Sequence, residues 1–306
     1  MKTIGKYLIK GLLAIFAALP LKAHYRLAGF LAWFISSVVR YRTDDVMINL
    51  SRSFPEKNYE ELKAVRKQFY SHFAKVLTET IWLGGCRNPE RLHKGHLVEI
   101  VNPGTIARLY ETSPSVMILY GHCGNWEVYG GMESYNYTDI PTHIDESNYC
   151  VVYRKLSSPV WDDIMRDNRF APVRDREHFD GYIESKRLVR YILTHKNEKK
   201  IYTVNTDQRP YFQAPDYMMV NFLHQECQTM SGAAALAHRL GFSVAYQSLK
   251  ERPDGHGYLL EYVPICQDAG KMEVEEIMKR FYALLEKDII EQPHNYLWTH
   301  RRWARI

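Results

Sequence analysis

The chain has no CxxC pair, no internal repeat, no glycine- or serine-rich linker and no apolar run of the roughly 18 residues that crosses a bilayer unaided. Each absence removes a class of protein. Its five cysteines (Cys86, Cys123, Cys150, Cys227 and Cys266) are scattered and odd in number. That argues against a disulfide framework or a zinc ribbon and for a reduced, cytosol-facing protein. His93 and His96 flank a short turn with no third ligand nearby in sequence, so the sequence gives no reason to expect a metal. Without a GxSxG elbow a serine hydrolase lacks support. Nucleic-acid binding lacks support too, because no recognition motif is present and the basic residues are dispersed apart from the two termini. What is present is ordinary for a packed domain: 46% hydrophobic and 25% charged residues over 306 positions, enough for one large domain or two small ones. A net charge of +5 and a pI near 8.8 suit work beside an anionic surface. The 22 tyrosines and 6 tryptophans favour a membrane interface as that surface.

The N-terminus carries Lys2, Lys6 and Lys10 ahead of an apolar run at 11–21, followed by a second run at 27–39. The pattern imitates a signal peptide, but bulky Leu21 occupies the cleavage region and the second run follows it closely. Basic residues on both sides of the first run (Lys22, Arg26, Arg40 and Arg42 beyond it) give no crossing direction. Residues 1–42 are therefore expected to be a retained membrane anchor, embedded from the cytosolic side or weakly spanning. Residues 43–306 form the remaining domain, with a helical lead-in at 43–90 and a core at 91–306. In the lead-in, Asn58 and Glu61 make a capping box, a helical apolar period runs from Leu62 to Leu77, and Gly84-Gly85 ends it.

From residue 96 short apolar runs alternate with helix-period stretches. Strands are expected at 96–101, 115–120, 149–153, 200–204, 242–249 and 258–263, and helices at 105–111, 126–134, 160–169, 181–195, 229–240 and 274–291. Such alternation predicts an α/β fold with a mostly parallel central sheet flanked by helices. The turn signal Arg252-Pro253-Asp254-Gly255 predicts an antiparallel hairpin of the last two strands at one edge.

The run Val116–Tyr120 leads into Gly121-His122-Cys123-Gly124-Asn125-Trp126-Glu127. Inside one helix, His122 and Glu127 would sit roughly 140° apart. To meet, His122 must lie in a strand-to-helix turn and Glu127 in the first helical turn, with the glycines supplying freedom and Asn125 an N-cap. A neutral imidazole suits proton abstraction from a hydroxyl near neutral pH, and Glu127 would hold its other nitrogen. A turn histidine and a solvated acid are the plain alternative, and Cys123 as a nucleophile a third. Other residues stand at strand ends or on helices. Arg154 reads as an anion contact or a surface cation, Asp207 and Gln208 as partners of Arg154 or of a substrate or as the mere start of a turn before Pro210, and Arg169 and Arg190 as weaker cations. His300, Arg301 and Arg302, with Trp298 and Trp303, make a basic-aromatic terminus suited to lipid headgroups or to packing.

With these residues in place, the chain resembles the late acyltransferases of bacterial lipid A biosynthesis, within the wider lysophospholipid acyltransferase superfamily. The resemblance covers nearly the whole chain: the N-terminal anchor, Asn49-Leu-Ser-Arg-Ser-Phe-Pro55, the helix ending near Glu79 and the seven-residue motif. Val152-Tyr-Arg154, Arg169, Asp207-Gln208, Asn221-Phe-Leu223 and Tyr296–Trp303 follow in order. It implies a glycerol-3-phosphate/lysophospholipid acyltransferase-like fold and a catalytic His122–Glu127 dyad working by direct transfer. It also implies Arg154, Arg169, Asp207 and Gln208 as substrate contacts. The donor would be an acyl-carrier-protein or CoA thioester, with no further cofactor, and the acceptor a 3-hydroxyacyl chain of a lipid A precursor. The place would be the cytoplasmic side of the bacterial inner membrane. Two departures concern the acceptor: Lys155 and Ser157-Ser158 replace the family's proline and asparagine-rich stretch, and His224 stands where a glycine is usual. A lysophospholipid or an acylated amino-acid lipid is the alternative acceptor, and a non-catalytic lipid-binding protein the alternative class.

Overall fold

A computed structural model describes residues 2–210 and 217–303. In chain order the elements are α1 (Lys2–Ala18), α2 (Leu21–Trp33), α3 (Thr43–Ser53), α4 (Tyr59–Leu83), α5 (Pro89–Gly95), β1 (Val98–Ile100), α6 (Pro103–Thr112) and β2 (Val116–Tyr120). A 3-10 helix (Trp126–Tyr135) precedes β3 (Tyr149–Tyr153), α7 (Pro159–Arg169), β4 (Tyr182–Glu184), α8 (Leu188–Thr194) and β5 (Ile201–Asn205). Then come β6 (Tyr217–Phe222), β7 (Gln225–Met230), α9 (Gly232–Leu240), β8 (Ser243–Glu251), β9 (Tyr258–Cys266) and α10 (Val274–Glu291).

Seven strands form one sheet in the order β1-β9-β8-β2-β5-β3-β4, parallel throughout except between β8 and β9. β2 lies near its middle and is buried at all five positions, as a strand covered on both faces must be. Its side chains alternate between two cores. Met117 and Leu119 face one with α9 and α10, while Val116, Ile118 and Tyr120 face the other with α6 and the 3-10 helix. The expected capping box closes on α4, Asn58 Oδ1 accepting from Glu61 N–H and Glu61 Oε2 from Asn58 N–H.

Three expectations are corrected. The β8–β9 hairpin is antiparallel but not at an edge, because β1 pairs in parallel outside β9. The helix expected at 181–195 is split: residues 182–184 pair with Val151–Tyr153 as β4, and α8 begins only at Leu188. The helix expected at 229–240 starts at Gly232, since Thr229 and Met230 end β7 of a separate β6–β7 hairpin. That hairpin turns through Leu223 and His224 with φ of 51° and 62°, a conformation usually signalled by asparagine or glycine. With neither residue present, nothing in the sequence marked it.

No single helix is long and apolar enough to cross a membrane among the described residues. The pair Gly5–Ala18 and Leu21–Val38 meets the length and composition together, bent by 119°. Leu8, Leu12, Ile15, Phe30 and Trp33 of this pair are exposed, while its other side packs on α4 and buries His24 and Ala28.

Candidate active site

The turn after β2 is shaped by close approach. A Cβ on Gly121 would stand 2.6 Å from the Leu285 side chain of α10, and Gly124 takes φ of 62°. The C-terminal segment straps the turn down, with Gly124 N–H donating to Asn295 O at 2.9 Å and Leu297 N–H to His122 O at 3.1 Å. Asn125 is the N-cap, its Oδ1 accepting from Glu127 N–H at 3.2 Å.

His122 lies in this turn with 10% of its side chain exposed. Its Nδ1–H donates to Asp207 Oδ1 at 2.6 Å, and its backbone N–H to Asp207 Oδ2 at 3.1 Å. The sheet register explains the meeting: β2 and β5 are parallel neighbours with Tyr120 opposite Asn205, so residues two steps past each end lie side by side. Burial alone would raise the Asp207 carboxyl. The His122 ring, its hydrogen bonds and the Arg302 guanidinium outweigh burial and bring it down to about 2. An ionised carboxylate accepts only, so it assigns the proton to Nδ1 and leaves Nε2 as an acceptor. Two amides meet Nε2: Gln208 Nε2 at 2.9 Å and Asn205 Nδ2 at 3.2 Å. The Trp126 ring stands edge-on 5.0 Å from the imidazole, and His300 lies parallel at 6.4 Å. Burial, with Arg302 and Arg42 nearby, pushes His300 down to about 4, which keeps it neutral.

Glu127 does not hold the histidine. Its carboxylate takes both Arg169 Nε–H at 2.7 Å and Nη2–H at 2.9 Å, a bidentate pair about one-eighth exposed on each side. The expectation that Glu127 would orient the imidazole is thus corrected: Asp207 reaches Nδ1 from the neighbouring strand, while Glu127 turns to the C-terminal end of α7. Arg169 also lies 5.3 Å over the Tyr153 ring. Arg154 is exposed immediately past β3, and Arg190 is exposed on α8. Trp126 of the seven-residue motif and His300 of the basic-aromatic terminus join the site, and so does Asn205, to which no motif pointed. Asn205 was legible only as the end of a strand.

Arg302 is 1% exposed and donates to Gln228 O and the Tyr282 hydroxyl, so the basic terminus is partly core rather than wholly surface. A cavity of about 450 Å³ between α1, the end of α4 and α7 has Leu13, Ile81, Ile164 and Phe170 on its walls. It includes Asn168 but not His122. No set of three His, Cys, Asp or Glu residues able to hold a metal comes together among the described residues.

Cys123 is 4% exposed, and burial pushes its thiol well above the usual value, with Asp288 and Asp207 adding to the effect. A buried, protonated thiol is a poor nucleophile. Cys123→Ala is expected to keep kcat within about threefold. A loss beyond about a hundredfold with an unchanged melting temperature would restore the covalent route.

A family described as bacterial lipid A biosynthesis acyltransferase matches residues 1–305 of the chain. No curated protein matches it.

Proposed function

The chain belongs to the bacterial lipid A biosynthesis acyltransferase family and is an acyltransferase, and we propose that it moves a fatty acyl group from a thioester to a lipid hydroxyl with His122 as general base. The observation that carries this reading is the 2.6 Å hydrogen bond between His122 Nδ1 and the buried Asp207 carboxylate, which presents a basic Nε2 at the sheet's carboxyl edge.

In the proposed step, Nε2 takes the hydroxyl proton as the oxygen attacks the thioester carbonyl carbon. The carbonyl π electrons move onto oxygen, and Asp207 stabilises the imidazolium that forms. Collapse of the tetrahedral species breaks the carbon–sulfur bond, and the departing thiolate takes the proton back from Nε2. Gln208 and Asn205 are the amide donors nearest this point and are proposed to turn onto the developing oxyanion once the hydroxyl displaces them from Nε2. Glu127 is proposed to fix Arg169, whose remaining N–H edge meets an anionic or carbonyl group of a substrate. Arg154 at the end of β3 is proposed as a second cation for the substrate.

The donor is proposed to be an acyl-carrier-protein or CoA thioester, and the acceptor a 3-hydroxyacyl chain of a lipid A precursor. No separate cofactor enters, since the thioester itself supplies the activated acyl group. The exposed apolar face of α1 and α2 supports contact with a membrane, which is proposed to be the inner membrane met from its cytoplasmic side.

The test is to incubate detergent-solubilised protein with both thioesters and a panel of lipid acceptors, reading products by mass spectrometry. A lipid A precursor is expected to gain one acyl mass, and Gln208→Ala and Asn205→Ala to lower kcat about a hundredfold. Acylation of a lysophospholipid or an amino-acid lipid alone would replace the acceptor assignment. Release of free fatty acid only would make the protein a thioesterase.

A further inference from the structure

Glu79 on α4 is 1% exposed and takes no part in the steps above. Its Oε2 accepts from Asn125 Nδ2 at 3.1 Å and from the Tyr258 hydroxyl of β9 at 2.9 Å, and the Tyr25 hydroxyl of α2 approaches the same carboxyl. The glycine turn packs on this spot as well, since a Cβ on Gly124 would stand 3.1 Å from the Tyr258 ring. Burial pushes the Glu79 carboxyl up to about 7, against the pull of these donors and of Lys75. Hydrogen bonds from Asn125 and Tyr258 offset part of the cost of burying this acid.

Its effect falls on one amide. Asn125 is fully buried, and its two ends differ: Nδ2 faces the Glu79 carboxyl, while Oδ1 accepts from Glu127 N–H at 3.2 Å and from the Thr80 hydroxyl at 3.4 Å. Where Glu79 is ionised, above about pH 7, a flipped amide would set oxygen against carboxylate and NH2 against the Glu127 N–H, two like-polarity contacts in a dry place. The carboxyl, nearer to Nδ2 than the Val76 carbonyl at 3.5 Å, is therefore the stronger of the two acceptors that set which way the amide points. The amide in turn holds the first residue pair of the 3-10 helix that aims Glu127 at Arg169.

We propose that Glu79 is a positioning residue of the active site, acting through the Asn125 amide to fix Glu127 and its hold on Arg169. The proposal rests on the reading that the Glu127–Arg169 pair serves acyl transfer. Tyr25 brings the first helices of the chain to the same carboxyl, so α2 contributes to the arrangement of the turn.

The test uses near-isosteric variants of the full chain. Assayed at about pH 8.5, above the Glu79 value, Asn125→Asp sets two carboxylates together and is expected to lower kcat about thirtyfold, with the thioester KM within about threefold of wild type. Adding Glu79→Gln supplies an NH2 facing the new carboxylate, which caps Glu127 as an aspartate can, and is expected to restore kcat to within about threefold. Hydrogen exchange of the 124–128 amides gives a readout independent of turnover: faster in Asn125→Asp, slower again in the double variant. If the double variant is no better than Asn125→Asp in both kcat and exchange, the proposal is wrong. If exchange is rescued but kcat stays low, Glu79 orders the turn without serving the reaction, which also overturns it. A wild type that transfers no acyl group would sink the functional reading, while the exchange result would still report on the Glu79–Asn125 link.

Discussion

Asp207→Asn and His122→Ala should each lower kcat about 10³- to 10⁴-fold, with the melting temperature of the asparagine variant close to wild type. Removing His122 removes the base. The asparagine keeps the shape of Asp207, but its amide can donate where a carboxylate can only accept, so Nδ1 is no longer held as the donor. The wrong tautomer then presents N–H rather than a lone pair at Nε2. The two losses should not multiply, because the residues act as one unit, and the double variant is expected to be no worse than His122→Ala. A carboxylate held down at about 2, against an ordinary value near 3.9, also stabilises the fold. Its folded value is depressed, so that contribution is present above about pH 4 and is lost as the pH falls towards 2. Thermal unfolding of Asp207→Asn should lack this part of the acid limb. An asparagine variant that retains more than a tenth of wild-type turnover would return the orienting role to another residue.

Glu127→Ala should be damaging for a different reason. It strands the Arg169 guanidinium, whose side chain is only 12% exposed, without the carboxylate that takes two of its N–H groups. Breaking one side of such a pair costs about 3–5 kcal/mol, a fall in melting temperature of about 10 °C for a chain this size. Arg169→Ala should do the same by stranding Glu127. Replacing both by leucine should recover most of the melting temperature, because two desolvated charges leave together. Activity should stay at least about a hundredfold down in all three if the pair also binds substrate. A stable double variant with full turnover would make the pair structural only, and would leave Asp207 as the acid that matters to His122.

The roles of these two acids show where reading the chain stops. The glycine-flanked His122 turn after a buried strand, the Asn125 cap and the change of periodicity near residue 96 are local patterns, and local steric rules suffice to read them. So are the α4 capping box, and α10, whose bounds match the expected 274–291. The parallel sheet is legible in outline because strands separated by helices can hardly pair otherwise. Strand order is not. The weak β4 pairing, the outer position of β1 and the β6–β7 hairpin are set by partners distant in the chain, and three-residue strands carry too little pattern to name theirs.

At the site, sequence alone determined that His122 would lie in the turn at the end of a buried strand. Only tertiary structure decided which acid holds it. Five residues separate His122 from Glu127 and eighty-five separate it from Asp207, so proximity in the chain favours the first. The β2–β5 register brings Asp207 to Nδ1, while the C-terminal end of α7 takes Glu127 into an ion pair with Arg169. Hydrogen bonds depend on distances of a few tenths of an ångström between side chains carried by different strands and helices, and those distances exist only once the sheet has closed.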